Sequence, residues 1–475
     1  MSIGVERIPP GIGVPAAVPR MARVHQRFPR PRVEDVPAAV RAELRRINLG
    51  ARIGPGSRIA VTAGSRGIRD IVPILRTVVE EVRAARGDPL VVAAMGSHGG
   101  GTDEGQRRLL QHLGITPESM RAPVATSMET VQLGRTPGGF TAYCDRNAAA
   151  CDTILAVNRI KPHTGFSHPF GSGVMKMLGV GLGKAPGATQ IHQQGPAHMA
   201  GAIREIAECV IGTGRVLAGV AIIENAYDET ARVVGIPPEQ IPDAEVGLFP
   251  EARAMMPRLP VDRMDVLIVD EVGKDYSGTG MDVNVIGRWR IAGLAEPDVP
   301  HAERIIALRL SDASEGNAQG IGLADFTTRA LVDRIDFAAT YLNCIVSTYV
   351  QRAMLPITLA TERDALFAAL GSLRLPDPLG ARIVRVPNTL HLEEVWVSEP
   401  LMGELQGRST SPRSARRSPC GSTTEGGCAR HAGRARARRF RGGGAGGRAS
   451  AQRSAECRAH RGRGQHRVGP PGLPV

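Results

Sequence analysis

The chain has 475 residues, enough for two or three domains and a large core. Its formal net charge of +13 is concentrated: residues 407–475 hold sixteen arginines, no lysine and two glutamates (Glu425, Glu456), which leaves residues 1–406 close to neutral and gives no reason to invoke nucleic acid. No run reaches the roughly 18–20 apolar residues that cross a bilayer. The body cysteines Cys144, Cys151, Cys209 and Cys344 form no Cys-x-x-Cys pair, so zinc-ribbon spacings and a disulfide scaffold are excluded and a soluble, cytoplasmic protein is expected.

Residues 1–50 are rich in Pro and Arg at first, then read as a short helix over 33–49. Arg58–Ala63 is a β-rich run ended by the Gly64-Ser-Arg-Gly67 turn. Ile71, Ile74, Leu75, Val78, Val79 and Val82 recur at helical spacing, and Pro89–Met95 is the next strand. That strand ends in Gly96-Ser-His-Gly-Gly-Gly-Thr102, with Thr102 or Asp103 capping a helix over 104–113. A turn-rich section follows, then a strand over 152–158, a helix over 197–211 and a strand over 216–223. Residues 237–260 are a Pro-interrupted connection with one amphipathic helix, and the boundary is placed there.

A second unit begins with the strand Met264–Asp270. It continues through a Gly-rich stretch over 278–287, a strand over 304–310, helices near 326–335, 337–350 and 362–373, and strands near 382–386 and 394–397. Strands alternating with helices predict two α/β domains, at 1–250 and 261–403, with mostly parallel sheets and an active-site cleft between them. After about Glu404 apolar periodicity stops. Residues 404–475 are expected to be a disordered Arg/Gly-rich tail, reading more like a GC-rich gene translated out of frame than an RNA-binding arm.

Several polar residues stand where strands end or glycines make room for a ligand. Lys176 lies in the apolar run Met175-Lys-Met-Leu178, and lysines enclosed in apolar surroundings are rare unless paired or chemically used. His192 follows sixteen residues later. His98 lies in the Gly96-Ser-His loop and His163 in Lys161-Pro-His, each just past a strand, and a histidine there can give or take a proton near neutral pH. Arg66, after the first β-rich run, could hold a carboxylate with its two-pronged guanidinium. Gly179-Val-Gly-Leu-Gly-Lys184 fails as a phosphate loop, because Ala185 stands where Ser or Thr must bind magnesium.

This set resembles the nickel-pincer-dependent lactate racemase family. Lys176 and His192 match in spacing its cofactor-tethering lysine and nickel-ligating histidine. Gly96-Ser-His98 and Lys161-Pro-His163 resemble the segments that hold its two catalytic histidines, and Ser65-Arg66 and Asp282-x-Asn284 fall in matching order. The resemblance covers roughly residues 20–400. It implies a nickel-pincer nucleotide, a pyridinium bis-thiocarboxylate mononucleotide with nickel, covalently attached at Lys176, with His192 on the metal. It also implies inversion of a 2-hydroxy acid, lactate-like or an aldonate, by reversible hydride transfer. His98 and His163 would be the catalytic pair and Arg66 a substrate contact. An orienting cation of the second domain would fall at Arg288 or Arg290, and cofactor-making enzymes would be partners. His163 stands three residues further from Lys176 than the family's spacing, and Thr-Ala-Gly-Ser precedes Arg66 where the racemases carry an aspartate, so lactate itself need not be the substrate. The alternatives are a one-way oxidoreductase on the same scaffold and a non-catalytic ligand-binding homologue.

Overall fold

The apolar runs become strands in two separate sheets. In the computed structural model, which describes residues 17–406 apart from Arg66 and Ser167, the strands in chain order are β1 (Met21–His25), β2 (Arg58–Ala63), β3 (Asp88–Ala93), β4 (Val124–Ala125), β5 (Thr130–Arg135), β6 (Thr141–Asp145), β7 (Thr153–Arg159), β8 (Val216–Glu224), β9 (Thr230–Ile236), β10 (Arg263–Val272), β11 (His301–Leu310), β12 (Phe326–Thr328), β13 (Ile357–Leu359), β14 (Ile383–Val386) and β15 (Glu394–Ser398).

The first sheet has the order β4-β3-β2-β7-β8-β9 and is parallel except where β9 returns antiparallel to β8. β2 pairs Ala60 with Leu90 of β3 and with Ile154 of β7. Helices Val36–Arg46 and Ile71–Ala84 cover it, and the latter buries Ile74, Leu75, Val78 and Val82 completely. That is the face the periodicity predicts. The second sheet has the order β1-β15-β14-β10-β11-β12-β13, parallel from β14 to β13. A two-stranded hairpin, β5–β6, stands apart from both. The α/β class with mostly parallel sheets is thus as expected.

Three details differ from expectation. Residues 21–25 do not stay with the first unit: β1 crosses over and pairs antiparallel with β15, Val24 opposite Val395, so the second sheet closes with the chain's own beginning. Residues 326–328 form a strand rather than the start of a helix, because their backbone extends β11 on its far side. The ordered body also runs past residue 404, in a helix over Glu399–Gln406 that buries Leu401 and Leu405. The rest of the expected tail lies outside the described residues. No helix among the described residues is long and apolar enough to cross a membrane. The described residues all belong to one compact unit, which contains both sheets.

Candidate functional site

β2, β3 and β7 are parallel, so their carboxyl ends lie on one edge of the first sheet. There the backbone turns away and polar side chains can reach a ligand. The strand order places the His98 loop after β3, the Gly64-Ser65 turn after β2 and the Lys161-Pro-His163 segment after β7 on successive strand ends. At about 4.8 Å per strand, the two histidine loops begin roughly 10 Å apart.

Residues 171–192 lie across this edge. A short helix, Val174–Lys176, passes into a π-helical turn over Met177–Gly181, in which Leu182 N–H donates to Met177 O at 2.9 Å. Such turns shift side-chain direction and recur at functional sites. Gly181 is required: a Cβ there would stand 2.6 Å from Ala94 O at the end of β3. A Cβ on Gly64 would stand 3.3 Å from Met177 Cε and 3.7 Å from Asn158 Oδ1. Asn158, in β7, donates to Gly173 O at 2.8 Å. Glycines therefore let this segment sit on all three strand ends.

Lys176 closes the short helix and is half-buried, less enclosed than its apolar neighbours imply. His192 ends the helix Lys184–His192. Burial first, and then the charge of Lys176, push the His192 imidazole below its usual pKa, so the ring is held neutral. Its Nδ1 is buried with no hydrogen-bond partner among the described residues. A neutral imidazole with an unsatisfied nitrogen is what a metal ligand requires. Among the described residues there is no cluster of three or more His, Cys, Asp or Glu that could hold a metal by itself. Any metal here would take its other ligands from elsewhere.

The two candidate acid–base histidines differ in tautomer. His98, exposed in its glycine loop, has Nδ1 2.7 Å from Met95 O. A carbonyl only accepts, so Nδ1 carries the hydrogen and Nε2 is the basic nitrogen. His163 is the reverse: its Nδ1 accepts from Gly165 N–H at 3.0 Å, so in the neutral ring Nε2 carries the hydrogen. The His163 ring packs on Phe166 with centroids 4.3 Å apart.

The second sheet's unit meets the first at this loop. Lys161 Nζ lies 3.3 Å from Asp282 Oδ2, and Asn284 Nδ2 donates to His163 O at 3.2 Å. The Asp282-x-Asn284 segment therefore faces Lys161-Pro-His163. Arg352, fully buried, donates from Nη2 to Thr164 O at 2.8 Å and to Trp289 O at 2.9 Å, with its guanidinium 4.6 Å from the Tyr349 ring centroid. It makes no ion pair with a carboxylate among the described residues, and burial pushes its pKa down to about 10. A cavity of 630 Å³ opens beside this junction, lined by Pro162, Phe166, His168, Met256, Asn284 and Trp289 among others. His98, Lys176 and His192 do not line it. It adjoins the His163 loop but not Lys176 or the helix of His192.

Arg66 lies outside the described residues. Arg288 and Arg290, expected as substrate contacts, are engaged in ion pairs within the second unit. Both guanidiniums bind Asp325, and Arg288 also donates to Ala302 O and Leu323 O, Arg290 to Gly322 O and Ala324 O. They tie the 322–325 segment to the start of β11. Of the further histidines, His168 Nδ1 caps Phe170 N, and burial lowers its pKa.

Four buried polar residues escaped the sequence reading: Lys184, Asp145, Gln106 and Glu245, each 0% exposed. Only Lys184 stood in a conspicuous motif. Its burial depends on Asp145 and Gln106, which are 39 and 78 residues away in sequence, and no local pattern shows that.

No protein-family model and no curated protein matches the chain. Among solved structures it is similar to the lactate racemase apoprotein from Thermoanaerobacterium thermosaccharolyticum, with TM-score 0.48 and 13% identity over 78% of this chain and 98% of that one. A protein from Thermotoga maritima is similar with TM-score 0.44 and 13% identity, over 69% of this chain and 84% of that one.

Proposed function

We propose that the protein is an isomerase that inverts the carbinol carbon of a 2-hydroxy acid, with His98 and His163 as its acid–base pair. The observation that carries this reading is the pair of histidines on the ends of β3 and β7, two strands apart on one sheet edge, in opposite tautomers. The two enantiomers offer their hydroxyl on different sides, so one group must take the hydroxyl proton on one side and another return it on the other. His98 Nε2 takes the hydroxyl proton of one enantiomer. His163 returns a proton to the oxygen from its imidazolium form, in which Nδ1 bears a hydrogen in place of the Gly165 N–H contact, His98 passes its proton to solvent, and the roles exchange in the reverse direction.

Moving the hydrogen on carbon as hydride requires an acceptor, and the residues present fit the nickel-pincer nucleotide. Lys176 would carry it covalently, and the unsatisfied imidazole of His192 would ligate the nickel. When bound, that group supplies a reversible hydride acceptor and a planar soft-donor setting suited to Ni(II). The chain's own share is to hold the imidazole of His192 neutral, to set the two tautomers, and to bring Asp282 and Asn284 over Lys161 and His163. Arg66 is the proposed carboxylate contact, and Lys161, paired with Asp282 at the His163 loop, is a further candidate beside Arg288 and Arg290 for the second cation. The enzymes that build the cofactor would be its partners.

The test is a screen of 2-hydroxy acids and aldonates for stereoinversion, using protein coexpressed with cofactor-making enzymes. An adduct on Lys176, stoichiometric nickel and inversion of at least one acid are expected. An unmodified Lys176 with substoichiometric nickel removes this reading.

A further inference from the structure

Lys184 is a fully buried lysine of the 171–192 segment, eight residues beyond the proposed tether, and its surroundings show what it does. Its Nζ lies 2.5 Å from Ala93 O, 2.8 Å from Gln106 Oε1 and 3.1 Å from Asp145 Oδ2. All three neighbours are acceptors and none is a donor, the setting an ammonium suits: Nζ donates to Ala93 O and Gln106 Oε1 and pairs with the Asp145 carboxylate, while burial pulls the Lys184 pKa down and the Asp145 pKa up. Asp145 is its counter-ion. Asp145 Oδ1 is already occupied, accepting from Asn147 N–H and Ala148 N–H.

The ammonium also fixes the Gln106 side chain. Because Lys184 can only donate, Gln106 must present Oε1 to it, and Nε2 is then turned the other way. There it donates to Gly96 O at 2.8 Å and to His98 O at 3.3 Å. That loop needs such anchors. Gly96, Gly99, Gly100 and Gly101 all have positive φ, at 58°, 69°, 67° and 66°, and glycine backbone has little preference of its own. Lys184 itself is held at φ 50°, a strained conformation for lysine, at the start of the helix that ends in His192. One buried chain of contacts therefore runs from Asp145 through Lys184 and Gln106 to the backbone of His98.

We propose that Lys184 and Gln106 are a positioning pair that aims His98 and holds its Nδ1–H tautomer, while also setting the His98 loop in register with the helix of His192. The proposal rests on the acid–base reading of His98 only for its consequence in catalysis. Its structural content stands or falls separately. A buried ion pair replaceable by apolar packing would affect stability alone. An orienting pair also affects which nitrogen of His98 bears the proton.

The experiment uses the full-length protein with ¹⁵N-labelled histidine. Signals are assigned with His98→Asn and His163→Asn, and loop exchange is followed by hydrogen–deuterium mass spectrometry. In Gln106→Met the His98 tautomer ratio is expected to change at least threefold. Amide exchange over residues 96–101 is expected to rise at least tenfold, while His163 keeps its signature. Lys184→Met is expected to do the same; should it not fold, Gln106→Met alone decides. A folded Gln106→Met with His98 signals and loop exchange as in the parent overturns the proposal, as does an equal change at His98 and His163. In the nickel-loaded protein, kcat on an identified hydroxy acid is expected to fall more than tenfold in Gln106→Met with KM changed less than twofold. If His98 is released yet kcat is unchanged, the positioning holds and it is the catalytic reading of His98 that fails.

Discussion

The loops of His98 and His163 occupy equivalent places, each just past a parallel strand of the same sheet, yet they are held in different ways. The His98 loop is fixed from within its own half, by Met95 O on the ring and by Gln106 on the backbone. The His163 loop is fixed from the other half as well, by Asn284 on His163 O and by the buried Arg352 on Thr164 O. Both rings are held at Nδ1, but by a carbonyl at His98 and by an amide N–H at His163, so in the neutral rings Nε2 is bare in the first and carries the hydrogen in the second. One histidine is set by local chain geometry. The other depends on how the two sheets' units meet.

The hardest break removes the shared centre of the comparison. Lys176→Ala is expected to lose both the covalent adduct, read by intact-protein mass, and all stereoinversion. His192→Ala should retain the adduct but lose nickel, read by metal analysis. If His192→Ala binds nickel as the parent does, the metal assignment is wrong.

Next in size are the histidines themselves. His98→Asn and His163→Asn should each lower kcat by about 10²–10⁴, the usual worth of general acid–base catalysis. The pH profiles then separate them. A base must be deprotonated and an acid protonated, so His98→Asn should erase the acidic limb of the profile and His163→Asn the basic limb, for the direction in which His98 is the base. Loss of the same limb in both variants would contradict the acid–base assignment.

A smaller effect is expected from Arg352→Met. It frees Thr164 O and Trp289 O while removing a buried charge that has no carboxylate ion-pair partner among the described residues, two changes that oppose each other in stability. Activity should fall about tenfold, the scale of a loosened catalytic group. The ¹⁵N signals of His163, and not those of His98, should move. Movement of both would show that the loops are not held independently.

The smallest effect concerns Glu245, which holds the start of the Lys176 helix. Its Oε2 accepts from Met175 N–H at 3.0 Å, its Oε1 has no hydrogen-bond partner among the described residues, and burial pushes its pKa up to about 8. As pH rises from the ordinary carboxylate range towards 8, the unfolded chain gives up this proton while the folded protein keeps it, so the folded state loses stability with rising pH. Glu245→Gln keeps the acceptor without the charge. It should gain roughly 2–3 kcal/mol in denaturant unfolding at pH 7–8 and almost nothing at pH 4. An equal gain at both pH values would mean that packing, not ionisation, is the cause. Neither histidine loop should respond.

Much of this architecture could be read from local pattern. The helix Ile71–Ala84 follows from apolar spacing, β2, β3, β7 and β10 from β-rich runs, and the turn at Gly96 from its glycines, because backbone preference and amphipathic period act over a few residues. Lys176, His192, His98 and His163 could be named as candidates because each stands beside a strand end or in a conspicuous spacing. The crossing of β1 to β15 could not, since pairing partners separated by most of the chain leave no local signal. Nor could the burial of Lys184, the loss of Arg288 and Arg290 to Asp325, or the tautomers of the two histidines. Each of these is decided by which acceptor or donor the folded backbone brings within about 3 Å, and only the tertiary structure sets that distance.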